Sequence, residues 1–278
     1  MSAGQAQPRI SATSSDTGQS PRCARPAGQA SEALESALIS RSRRPPGSAC
    51  REASRTTHHG RRRRWVTAPW SHGSMTSTQD FLAGLTFLEG RGDATIDAEA
   101  RTVGVSAPAS SDLISDPVSG ALTRGAPVLA SSAPAGDFVF SAQVTVPGER
   151  STYDAGVLAL YVNERRWAKL CFEYSPDAEA TVVGVVTDGF SDDANGDVIA
   201  GDRVFLRISR LGEAFAFHHS PDGVRWRFLR VFRLGTAHEL EGLRIGFAAQ
   251  SPLGEGRGAE FAAISLEERS LADLRDGS

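Results

Sequence analysis

Between Phe81 and Leu266 apolar and polar residues alternate with the period of two that a strand shows when one face is buried. The clearest run is 138–146, where Phe138, Phe140, Ala142, Val144 and Val146 share one face, and Pro147-Gly148 ends it. The next run, 155–162, is apolar on both parities, which predicts a central strand covered on both faces. Further strands are predicted at 169–174, 181–187, 203–210, 214–219, 226–232, 243–250 and 259–266. Turn signals separate most of them: Ser175-Pro176-Asp177, Asn195-Gly196-Asp197, Leu211-Gly212-Glu213, Pro221-Asp222-Gly223 and Pro252-Leu253-Gly254. A helical stripe is confined to the short stretch 266–274. This pattern predicts an all-β fold, an antiparallel two-sheet sandwich or jelly roll.

The first 74 residues break the pattern. They are rich in Ser, Ala, Pro, Gly and Arg, carry the run Arg61-Arg62-Arg63-Arg64, and offer too little apolar surface to offset chain entropy. No apolar run of seven or more residues follows the arginines, so they do not form a secretory signal. Met75 is followed by Thr76-Ser77-Thr78-Gln79-Asp80 and then the first structured apolar run, and the expectation is a disordered extension over 1–74, with Met75 as a candidate start. The sandwich is expected over 75–269, and a polar tail over 270–278.

Composition narrows the function. Residues 1–74 hold twelve arginines and four acidic residues, which leaves 18 basic and 29 acidic residues for 75–278. So acidic a domain is a poor nucleic-acid binder, and neither a nucleic-acid nor a membrane partner is expected. The cysteines are Cys23, Cys50 and Cys171, one of them in the domain, so no disulfide framework staples the sandwich and a cytoplasmic location is expected.

Four segments in order carry a resemblance: Tyr153-Asp154-Ala155-Gly156-Val157; Arg166-Trp167-Ala168-Lys169-Leu170-Cys171-Phe172-Glu173-Tyr174; Val185-Val186-Thr187-Asp188-Gly189-Phe190-Ser191-Asp192; and Ser220-Pro221-Asp222-Gly223-Val224-Arg225-Trp226. Together they resemble the concanavalin A-like family related to the regulation-of-enolase protein, domain of unknown function 1349. The resemblance implies a lectin/glucanase-type jelly roll over about 80–266. It implies no reaction and no catalytic residues, so function has to come from the site.

Alternation puts Trp167, Lys169, Cys171 and Glu173 on one face of one strand, with next-but-one residues about 6–7 Å apart. Lys169 is the sole lysine of the chain. An aromatic platform beside fixed donors and acceptors suits a polar ligand with apolar faces, such as a sugar. Tyr153 opens the preceding strand, Gln250 ends a later one, and Ser191 and Asp192 sit in an acidic segment read as a loop. These seven residues, Tyr153, Trp167, Lys169, Glu173, Ser191, Asp192 and Gln250, form the expected ligand set. Asp193-x-Asn195-x-Asp197 imitates the opening of a calcium loop, but Val198 and Val204 stand where that loop needs Gly and Glu, so no metal is expected. His218 and His219 fall on opposite faces and cannot form a metal site alone. No cofactor fingerprint occurs. No strand carries the spaced carboxylates of a jelly-roll glucanase; Asp97-x-Glu99 has the spacing but lies in an early polar segment. The reading is a binding module for a saccharide or sugar phosphate on the concave sheet. A protein-interaction or regulatory role in central metabolism stands second, and a glycoside-processing enzyme third.

Overall fold

The computed structural model describes residues 78–278. The extension expected over 1–74 lies outside them. The described chain opens with a short helix, α1 (Thr78–Ala83), followed by β1 (Thr86–Glu89), β2 (Asp93–Asp97), β3 (Thr102–Pro108), β4 (Leu113–Ser115) and β5 (Leu122–Arg124). Then come β6 (Val128–Ser132), β7 (Phe138–Thr145), β8 (Ala155–Asn163), β9 (Arg166–Tyr174), β10 (Ala180–Asp188) and β11 (Phe190–Val198). The last five are β12 (Arg203–Leu211), β13 (Ala214–Ser220), β14 (Arg227–Arg233), β15 (Arg244–Gln250) and β16 (Gly256–Glu267).

Two seven-stranded antiparallel sheets result, which makes the domain a β-sandwich. The first has the order β1-β6-β15-β8-β9-β10-β11 and the second β14-β13-β12-β7-β16-β3-β2. Their inner faces meet in one core. From β7 come Phe138, Phe140, Ala142 and Val144, from β8 Leu158 and Leu160, and from β13 Phe215 and Phe217. Phe81 of α1 joins them, its ring 5.4 Å from Phe140 and edge-on, while Phe247 lies 4.7 Å from Phe261. Each such fully buried side chain contributes roughly 1.5–3 kcal/mol of transfer free energy. The two sheets approach closely at Gly156, where a Cβ would stand 2.6 Å from Val144 and 3.0 Å from Ala259.

The two-parity pattern of β8 is explained by a second core. On the outer face of the first sheet Val157, Ala159 and Tyr161 cluster with Trp167, Cys171, Val183, Val185 and Ala248, under Leu113 and Ala126. Leu113 belongs to the β4–β5 hairpin, a separate two-stranded sheet folded over that face.

Three expectations need correction. The acidic segment 190–198 is not a loop but the edge strand β11, paired with β10 around a tight turn at Gly189, whose φ is 82°. Asn195-Gly196-Asp197 is likewise no connection between strands: the register slips there, so it forms a bulge within β11. The stretch 266–274 forms no helix. After β16 the chain instead runs back over the second sheet, where Leu271 and Gly277 are buried.

Candidate functional site

The antiparallel register assembles the site. On the outer face of the first sheet Lys169 of β9 lies between Ala159 of β8 and Val185 of β10, and Val185 in turn faces Asp193 of β11. Two same-face steps along, past Cys171, Glu173 pairs with Ala155, and Ala155 pairs with Gln250. Ala155 has no side chain long enough to intervene, so Gln250 reaches across β8 to both polar groups of β9. Its Oε1 accepts from Lys169 Nζ at 3.0 Å, and its Nε2 lies 3.3 Å from Glu173 Oε2 and 3.2 Å from the carbonyl oxygen of Tyr153. Asp112, at the foot of the hairpin, brings a carboxylate oxygen to 3.7 Å from Lys169 Nζ.

Lys169 is thus an interior ammonium, 3% exposed. Burial works against its charge, but the carboxylates of Asp112, Glu173 and Asp193 around it hold its pKa above the usual lysine value. The carboxylates respond differently. Burial raises the Glu173 pKa to about 7; Lys169 opposes this, and Asp112 and Asp193 reinforce it. Burial also raises Asp193, against the pull of Lys169. The Cys171 thiol is fully buried and pushed far above the range where a thiolate forms, so it is no nucleophile.

The expected ligand residues are only partly gathered. Lys169, Glu173 and Gln250 form one hydrogen-bonded group. Tyr153 joins through its carbonyl, in a left-handed conformation of φ 69° that leaves its side chain exposed. Trp167 is entirely buried in the second core and is no platform for a sugar ring. Ser191 is also buried; its Oγ accepts from the Ser115 N–H at 3.0 Å and shares a hydrogen bond with Thr187, so it anchors the hairpin. Asp192 points to the opposite face, where Arg230 donates to its carbonyl oxygen at 3.2 Å and lies 3.6 Å from its carboxylate. Its exposed neighbour Asp193 takes the place beside Lys169. Reading 190–198 as a strand would have revealed that parity, whereas nothing local in the sequence marks Asp112, which arrives through a hairpin folded back from a distance.

The other candidates resolve into structure. Asp97 accepts backbone N–H groups of Glu99 and Ala100 and shapes the turn between β2 and β3. Asp222 accepts from Val224 and Arg225 N–H and from the Ser220 hydroxyl, which depresses its pKa to about 2 and fixes the β13–β14 connection. Asp154 is wholly buried between Ser251 and Arg257. Among the described residues no group of three His, Cys, Asp or Glu side chains is arranged to hold a metal ion. Nor is any described helix long and apolar enough to cross a membrane.

A family model described as "Protein of unknown function (DUF1349)" matches residues 92–269. A functionally unknown protein from Saccharomyces cerevisiae has a similar structure, with a TM-score of 0.60 at 21% identity, over 68% of this chain and 98% of that one. The GH43 BlXynB protein from Bacillus licheniformis is similar with a TM-score of 0.53 at 12% identity, over 72% of this chain and 40% of that one. At such identities the likeness is one of fold. No curated protein matches the chain.

Proposed function

This chain belongs to the DUF1349 family of proteins of unknown function, and from that premise we propose that it is a binding module for a neutral saccharide, held on the outer face of the first sheet around Glu173, Asp193 and Gln250. The observation that carries the reading is the buried Lys169 ammonium, locked to Gln250 and ringed by Asp112, Glu173 and Asp193. It orders a row of acceptors of the kind that vicinal hydroxyls engage. Tyr153 supplies an exposed aromatic edge nearby. The same charges disfavour a phosphorylated sugar, because three carboxylates surround one ammonium and a phosphate would meet net negative charge.

The test is thermal unfolding of the whole chain against neutral saccharides and sugar phosphates. A ligand present at a hundred times its Kd adds about 2.7 kcal/mol to the native state. A rise with a neutral saccharide, lost in Asp193→Asn and in Glu173→Gln while both variants still unfold cooperatively, supports the module. Silence across the panel, or a rise that survives both substitutions, refutes it. One observation favours a second reading: a glutamate with a pKa near 7 is suited to general acid catalysis. That reading requires turnover of a chromogenic glycoside that disappears in Glu173→Gln.

A further inference from the structure

The outer face of the second sheet carries polar groups that the saccharide reading does not use. Alternation puts Arg207 and Ser209 of β12 and His218 of β13 on this face, and the register sets Arg207 directly opposite His218. Arg207 is 3% exposed, and Ser209 and His218 are fully buried. The Arg207 guanidinium lies over the Trp226 ring at 4.1 Å. What covers them is the segment that follows β16. Its Leu274 carbonyl oxygen lies 2.7 Å from His218 Nε2, and its Gly277 carbonyl accepts from Arg207 Nη2 at 2.9 Å. A carbonyl can only accept, so His218 carries its proton on Nε2.

This cover answers only part of what lies beneath it. Arg207 Nε, Ser209 Oγ and His218 Nδ1 are buried without a partner. Arg207 forms none of the ion pairs among the described residues, so a buried guanidinium is met by a single peptide dipole. Glu267 favours its charge from a distance, Arg269 opposes it, and among the described residues no carboxylate pairs with it directly, as burial would demand. The planar fork of Arg207, stacked on an indole with Nε unused, has the shape that receives two oxygens of one oxyanion.

We propose that Arg207, Ser209 and His218, walled by Trp226, form a second binding site, for a ligand bearing a phosphate or carboxylate group, and that the segment Leu274–Ser278 occupies it as an internal stand-in. The carbonyl oxygens of Leu274 and Gly277 hold the places that the ligand's oxygens take. When the segment leaves, Arg207 Nε and Nη2, His218 Nε2–H and the Ser209 hydroxyl all become available as donors. Gly277 is the weak point of the cover. Its φ is 77°, and a Cβ there would run into the Arg207 guanidinium while standing 3.2 Å from Trp226 and 3.3 Å from His218. A β-branched side chain at 277, disfavoured at this φ as well as crowded, is therefore expected to dislodge the segment without changing any residue of the groove.

Wild type and Gly277→Val, both full length, are titrated calorimetrically with inorganic phosphate and with malonate. Gly277→Val is expected to bind at least one probe about ten-fold more tightly, as when an internal competitor that fills the groove about nine-tenths of the time is removed. Arg207→Met in the same background is expected to abolish that binding. Tightening with phosphate alone assigns a phosphate ester, and tightening with malonate alone assigns a carboxylate. Should Gly277→Val fail to fold, the chain ending at Asp273 replaces it. A folded, uncovered protein that binds neither probe more tightly than wild type, or binds equally well with Arg207→Met, overturns the site.

Discussion

Two residues, the half-buried Glu173 and the buried His218, make opposite demands on pH. Glu173, raised to about 7 chiefly by burial, holds its proton more tightly in the folded than in the unfolded chain. Its contribution to stability is therefore full below its ordinary value near 4.5 and declines as pH rises to about 7. His218 is lowered to about 4, first by burial and then by Arg207, so its contribution is full above 6.5 and declines as pH falls to about 4. Between about pH 4.5 and 6.5 the two slopes oppose each other. Urea unfolding at several pH values is expected to show this: Glu173→Gln uncovers a stability that rises with pH, and His218→Gln one that falls. Identical slopes in both variants and in wild type would refute the assignment. Neither shift was legible in the sequence, because both arise from burial by segments distant along the chain.

At the scale of elements, the hairpin β4–β5 and the edge strand β11 decide what the first sheet exposes. The hairpin turns half of an outer face into a second core, and Leu113, 1% exposed, is its apolar anchor in the cluster that holds Trp167. Leu113→Ala is expected to cost about 3 kcal/mol, measured by urea unfolding. Trp167 fluorescence should move to the red as water reaches the indole. An unshifted spectrum with unchanged stability would show that the hairpin is not what keeps Trp167 dry. β11 was missed because Asp, Asn and Gly are poor strand formers. Pairing with β10 overrides that propensity, and cations from β14 neutralise its charge: Arg230 lies by Asp192 and Arg227 by Asp197. A charged edge of this kind also discourages pairing with other chains.

Across the whole molecule, Asp154 is a node between the sheets. Standing just before β8 of the first sheet, it accepts from the Ser251 hydroxyl at 2.7 Å, the Ser151 N–H at 2.8 Å and, at 3.0 Å, the Arg257 side chain of β16 in the second. Arg257→Met leaves a buried carboxylate without its cation and is expected to lower unfolding free energy by about 2–3 kcal/mol. Adding Asp154→Asn should restore part of the loss; a double variant less stable than Arg257→Met would refute the pairing. The sequence by itself determined the class of fold and nine of the strands, because alternation and turn residues are local consequences of a pleated, half-buried chain. It also put Lys169 and Glu173 on one face, since side-chain parity along a strand needs no knowledge of neighbours, whereas the link to Gln250 depends on the register across β8. Only the tertiary structure decided that Trp167 and Ser191 are covered, that Asp193 rather than Asp192 faces Lys169, and that residues 274–278 close over Arg207. Each of those outcomes depends on which segment folds over which sheet face, and such contacts join residues whose spacing in the sequence carries no periodic signal.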